Sequence, residues 1–150
     1  MTATEVRTRP PRQVELSFSL LSVALLAGLV EAILQAARAL ESGAASPAAV
    51  ATQGVIRLAV YGAVFALAAA MRRGSNPARL TLLIGLGTVG LGSLVVEPAA
   101  WLLSANGFDP AGITVASVLI GLARTAHVAA VIAGLGLLLG ADARRYFARR

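Results

Sequence analysis

The sequence predicts an all-α integral membrane protein: a bundle of four transmembrane helices with both termini in the cytoplasm. Three observations carry that expectation. First, the 150 residues are 57% hydrophobic and only 13% charged, with a mean hydropathy of +0.79, whereas a soluble domain carries about a quarter charged residues. Second, the apolar residues fall into four runs, each long enough to cross a hydrocarbon core of about 30 Å at about 1.5 Å per helical residue. Third, the arginines gather beside alternate connections between those runs, the asymmetry that sets orientation in a membrane.

Residues 1–13 are polar, with Arg7, Arg9, Arg12 and the pair Pro10-Pro11, and read as a disordered tail. The first span is predicted over 16–40. A basic head before an apolar run is also the pattern of a signal peptide. Here the run continues past Glu31 through Ala-rich helix formers with no clear cleavage site, so retention is expected. Glu41-Ser-Gly-Ala-Ala-Ser-Pro47 breaks the helix. The second span is predicted over 50–71, followed by the basic turn Arg72-Arg73-Gly74-Ser75-Asn76-Pro77. The third runs over 80–103, and Ser104-Ala-Asn-Gly-Phe-Asp-Pro110 is the next turn. The fourth occupies 113–139, and 141–150 form a basic tail. All four belong to one domain covering residues 1–150.

The orientation follows. Three arginines lie in the N-tail, Arg72, Arg73 and Arg79 at the second connection, and Arg144, Arg145, Arg149 and Arg150 in the C-tail. The first and third connections carry only Glu41 and Asp109. Both termini are therefore expected in the cytoplasm, in a plasma-membrane protein. Trp101 and Tyr146-Phe147 sit where interfacial anchors belong. The tail arginines are positioned to hold anionic headgroups, but as topology determinants they need no further role.

Composition also excludes chemistries. All 13 basic residues are arginine, a bias we attribute to a GC-rich genome. The net charge of +6 and pI near 11.5 do not indicate nucleic acid, because the arginines flank spans rather than form a binding face. Cysteine is absent, which removes disulfides and thiolate chemistry. His127 is the sole histidine, so neither a metal nor a cofactor such as haem is expected. Gly85-Leu-Gly87-Thr-Val-Gly90 matches a dinucleotide fingerprint only on paper, lying inside a span with no strand before it.

The candidate site is a layer of charges within the spans. Counting from the cytoplasmic ends, Glu31 stands about 22 Å up the first helix, Arg57 about 21 Å up the second, Glu97 about 26 Å up the third and Arg124 about 22 Å up the fourth. An unpaired charge at such depth costs about 2.5–3.5 kcal/mol on insertion scales. Glu31 and Glu97 are therefore expected to neutralise Arg57 and Arg124, with the choice of partners open. His127 shares the face of Arg124 one turn deeper, while Gln35 and Arg38 continue the stripe of Gly28 and Glu31. Gln53, Arg57 and Tyr61 form a second stripe, and Gly90, Ser93, Glu97 and Trp101 a third, with Pro98 placed to kink the helix beside the acid. On the fourth helix Ser117, Gly121, Thr125 and Ala129 recur every four residues, a ridge of the kind that lets membrane helices approach closely.

The basic turn Arg72 to Arg79, the Gly/Leu-rich span after it and the Tyr146-Phe147 tail resemble small, uncharacterised four-span membrane proteins of actinobacteria. That resemblance implies fold and compartment, and no chemistry. Small multidrug transporters also place a glutamate in the first of four spans, but this chain is longer, lacks aromatic surroundings for Glu31 and carries additional intramembrane arginines. Three functions follow as expectations. One is a non-catalytic accessory component binding a membrane partner, itself or lipid. Another is a small proton- or anion-coupled transporter using the Glu/Arg layer. A lipid or quinone-like ligand near His127 is a third.

Overall fold

A computed structural model describes residues 10–92, 96 and 114–148, and among these every regular element is helical. Helix α1 spans Arg12–Glu41, α2 Pro47–Arg72 and α3 Asn76–Ile84, which continues into a π-helical segment, Gly85–Gly90. Helix α4 spans Val115–Leu138 and the short α5 Ala141–Ala148. Among the described residues three helices, α1, α2 and α4, are long and apolar enough to cross a membrane. Their 30, 26 and 24 residues correspond to about 45, 39 and 36 Å. The expected third span is described only up to Gly92, apart from Val96, and its remainder lies outside the described residues.

Local chemistry sets the boundaries. Pro11, extended at φ −61° and ψ 154°, caps α1, so Arg12 and Gln13 belong to the helix rather than to a tail. Ser46 accepts a hydrogen bond from the Ala49 amide and Pro47 fills the first position of α2, starting that helix three residues before the apolar run. The turn from α2 to α3 is a Schellman closure. Gly74 donates to the Met71 carbonyl at 2.8 Å and Ser75 to that of Ala70 at 3.1 Å. Gly74 takes φ 97°, a region an L side chain avoids. Ser75 then caps α3 by accepting from Ala78, while Thr114 and Ser117 form a reciprocal capping box on α4. The π-helical segment holds three glycines in six residues, and the Thr88 hydroxyl donates back to the Ile84 carbonyl at 2.6 Å. Weak helix propensity combined with a competing side-chain bond loosens this turn.

The axis of the molecule is the seam between α1 and α4, its most extensive helix contact. The buried residues of α1 are Val14, Ser17, Leu21, Ala24, Gly28 and Glu31, alternating by three and four. On α4, Arg124, His127, Val131, Gly134 and Leu138 repeat the same spacing. That spacing generates a continuous knobs-into-holes seam. Glu31 meets Arg124, Gly28 meets His127 and Leu21 meets Gly134, so the helices run antiparallel. The Ser17 hydroxyl donates to the Gly134 carbonyl at 2.8 Å. Helix association in lipid depends on such close packing and interhelical hydrogen bonds, each worth about 1 kcal/mol, because the surrounding tails are as apolar as leucine.

At the end where α1 begins, the expected basic tail is instead helix α5, folded back with Ala143 and Phe147 buried. Gln13 of α1 accepts from the Ala143 amide at 3.3 Å. Arg79 reaches from α3 to donate twice to the Leu138 carbonyl, at 3.1 and 2.9 Å, closing the C-terminus of α4. Its guanidinium also lies 5.2 Å from the centre of the Phe147 ring. Arg72 pairs with Glu15 at 2.9 Å and stacks over Phe18. The start of α1 and the end of α4 thus share one end of the bundle, which we call the terminal end; the opposite end carries the α1–α2 loop.

Candidate functional site

Near mid-bundle the seam changes character. From the loop end, Glu31 lies ten residues inside α1, Arg57 ten inside α2 and Arg124 nine inside α4, or about 15, 15 and 14 Å in depth. The three described charges therefore occupy one layer, slightly to the loop side of the middle. Glu31 is 5% exposed, and its carboxylate holds the layer together. Arg124 Nε donates to Oε1 at 2.7 Å, and Gln35 Nε2, one turn along α1, donates to the same oxygen at 2.9 Å. His127 Nδ1 stands 3.8 Å from Oε2, too far for a hydrogen bond, and is buried with no hydrogen-bond partner.

Helix α2 supplies the other wall. Gly28 makes the close approach possible: a Cβ there would lie 2.7 Å from His127 Cε1 and 3.0 Å from the Tyr61 hydroxyl. Tyr61 stands in the field of both Arg57 and Glu31. Among the described residues Arg57 has no ion pair or hydrogen bond, and Glu31 is committed to Arg124 rather than to it. Arg38, expected to extend the network, is exposed in the last turn of α1. Glu97, Ser93 and Trp101 lie outside the described residues.

Two hollows meet at this layer. A cavity of about 310 Å³ runs from the charges toward the terminal end, walled by Leu21, Leu25, Val60, Val64, Leu86 and Val131. A groove of about 530 Å³ lies between α1 and α2 on the loop side, lined chiefly by alanine, leucine, isoleucine and valine. Gln35, Arg57 and Tyr61 border both. Chemically, the layer offers a sequestered carboxylate, an orphaned imidazole nitrogen and a cluster of donors beside an apolar chamber.

The ridge of α4 faces elsewhere. Gly121, Thr125 and Ala129 are exposed and Ser117 half-buried, while the packed face is the stripe through Arg124, His127 and Val131. Nothing lies within 4 Å of a Cβ built on Gly121, and Thr125 donates to the Gly121 carbonyl within its own helix. Sequence reasoning did not single out Ser17, and it took Arg79 only as a topology signal. Ser17 is legible as a member of the three-four stripe; Arg79 carries no signal beyond its place after a turn, because its target is a carbonyl distant in sequence. Compared with family models, curated proteins and solved structures, the chain matches none.

Proposed function

We propose that this chain is a non-catalytic, accessory or subunit-type component of the plasma membrane, crossing it four times with both termini in the cytoplasm. Its partner is a helix of another membrane protein or of a second copy. The observation that supports this is the orientation of the ridge on α4: the side used against α1 is the charged stripe, and Gly121, Thr125 and Ala129 remain open on another side. Small residues at four-residue spacing suit a backbone approaching from outside. The test is the mass of the complex extracted in mild detergent, with identification of what co-purifies. A stoichiometric second protein, or a dimer that Gly121→Leu dissociates, is the expected result. A monomer alone contradicts it.

A specific observation favours a second reading, a small proton-coupled transporter: Glu31 and His127 lie side by side on the wall of a cavity, and intramembrane ionisable groups often form proton relays. Glu31→Gln in proteoliposomes distinguishes the two. A transporter loses flux while the bundle persists; a structural network loses folded yield and shows no flux in the parent protein.

A further inference from the structure

We propose that the cavity between α1, α2 and α4 binds a single-chain amphiphile with one negative head, a medium- or long-chain carboxylate, whose head sits on Arg57 and Tyr61. This rests on the chain being membrane-embedded and not on the partner-helix reading above. Three features of the layer lead to it. The first is charge. The described groups of the layer are one carboxylate, Glu31, and two guanidinium groups, Arg124 and Arg57, and Glu31 is bound by Arg124. Among these described groups one positive charge is left, on an arginine about 15 Å inside a helix, where an uncompensated cation is unfavourable.

The second is donor geometry. Arg57 offers a planar fork that matches a carboxylate in two parallel bonds. Tyr61, four residues on and thus on the same face of α2, brings a hydroxyl to the same boundary of the cavity. Gln35 uses one amide hydrogen on Glu31 and retains a second. These three residues are the ones shared by the groove and the cavity.

The third is the shape of the space beyond. From the donors the cavity extends along Leu21, Leu25, Val64 and Leu86 toward the terminal end of the bundle. An amphiphile with its head at the charged layer thus lays its tail through the middle of the bundle toward the terminal end. The volume of about 310 Å³ holds about ten water-sized groups at about 30 Å³ each, the room of one alkyl chain rather than two. The groove between α1 and α2, about 530 Å³ and mostly apolar, meets the cavity at these same donors and gives lateral entry. A sequence-based expectation competes with this: Glu97, outside the described residues, as the counter-ion of Arg57. The two differ in what binds.

The experiment is titration of the full chain, in maltoside detergent, with dodecanoate, dodecanol and acetate, followed by thermal unfolding and by native mass spectrometry. Dodecanoate is expected to bind one per chain and raise the unfolding midpoint. Dodecanol, with the same tail and no charge, is expected to bind at least about tenfold more weakly, the worth of one charge-assisted pair. Acetate, with the charge and no tail, is expected to show no detectable binding, because the loss of the buried chain outweighs that pair. Arg57→Gln should weaken dodecanoate about tenfold or more, with Arg57→Lys intermediate because it keeps the charge and loses the fork. If Arg57→Gln fails to fold, Leu25→Trp, which fills the chamber and leaves the charges in place, should abolish binding. Equal binding of dodecanoate and dodecanol, or dodecanoate binding unaffected by Leu25→Trp, overturns the proposal. So does an absence of dodecanoate binding, the result expected if Arg57 is neutralised from within the chain. Each outcome is independent of whether the chain purifies with a partner.

Discussion

At the scale of the residue, one glycine decides whether the charged layer forms. Gly28 lies where α1 faces both α4 and α2, and a side chain there meets the His127 ring and the Tyr61 hydroxyl below ordinary contact distance. Gly28→Val is therefore expected to separate the helices at that point, lowering stability by about 1–3 kcal/mol as overpacked cores do. The thermal midpoint in detergent measures it, and an unchanged midpoint places His127 elsewhere. Glu31 is the opposite kind of residue, valuable for its charge rather than for its size. It is almost fully buried and two donors converge on one of its oxygens. Its depth and its need for a cation were legible from the sequence, since a carboxylate within an apolar helix has few alternatives. Which arginine it takes was not. Arg57 and Arg124 lie at similar depth, and only the three-four register of the seam, which puts Gly28 against His127 and Glu31 against Arg124, selects between them.

At the scale of the element, the helices follow their sequence closely where caps are strong and depart from it where chemistry beyond the apolar run intervenes. Ser46-Pro47 and Ser75 start α2 and α3, and α4 opens on the Thr114–Ser117 box, all readable as local signals. Helix α5 was not readable as a packed element, because eight residues with two exposed arginines look like tail. It folds back because Phe147 finds the guanidinium of Arg79, and Arg79 is anchored by the terminal carbonyl of α4. This makes a testable linkage. Arg79→Lys keeps the charge but lacks the fork that reaches Leu138 twice, and should cost about 1 kcal/mol while loosening α5. Faster amide exchange at 141–148 in the variant is the expected outcome; unchanged exchange means that α5 holds itself. The ridge of α4 is a second lesson at this scale. Its period was plain in the sequence, but periodicity does not say which face a partner covers, and the chain's own partner took the charged face instead.

At the scale of the whole molecule, two opposed ends emerge. The terminal end gathers Arg72, Arg79, Arg144 and the interlocked α5, while the loop end carries Glu41 and the groove. The distribution of arginine predicts that the terminal end faces the cytoplasm. Because the natural chain has no cysteine, single cysteines report this cleanly. Ala44→Cys should react with an impermeant maleimide in intact cells and Ala148→Cys only after lysis; the reverse pattern inverts the orientation. The number of crossings depends on the chain between Gly92 and Thr114, most of it outside the described residues, and there the sequence speaks alone.

The claim on which the rest depends is that the Glu31–Arg124 pair closes an antiparallel seam between α1 and α4. The most direct measurement is a double-mutant cycle on thermal stability in detergent, with Glu31→Gln, Arg124→Gln and the two combined. Each single change leaves a polar or charged group in the membrane interior, and the double change removes both charges together. The account predicts that the double variant is more stable than the sum of the single losses by about 1 kcal/mol or more. Strict additivity would show that the two side chains do not meet and would contradict the seam.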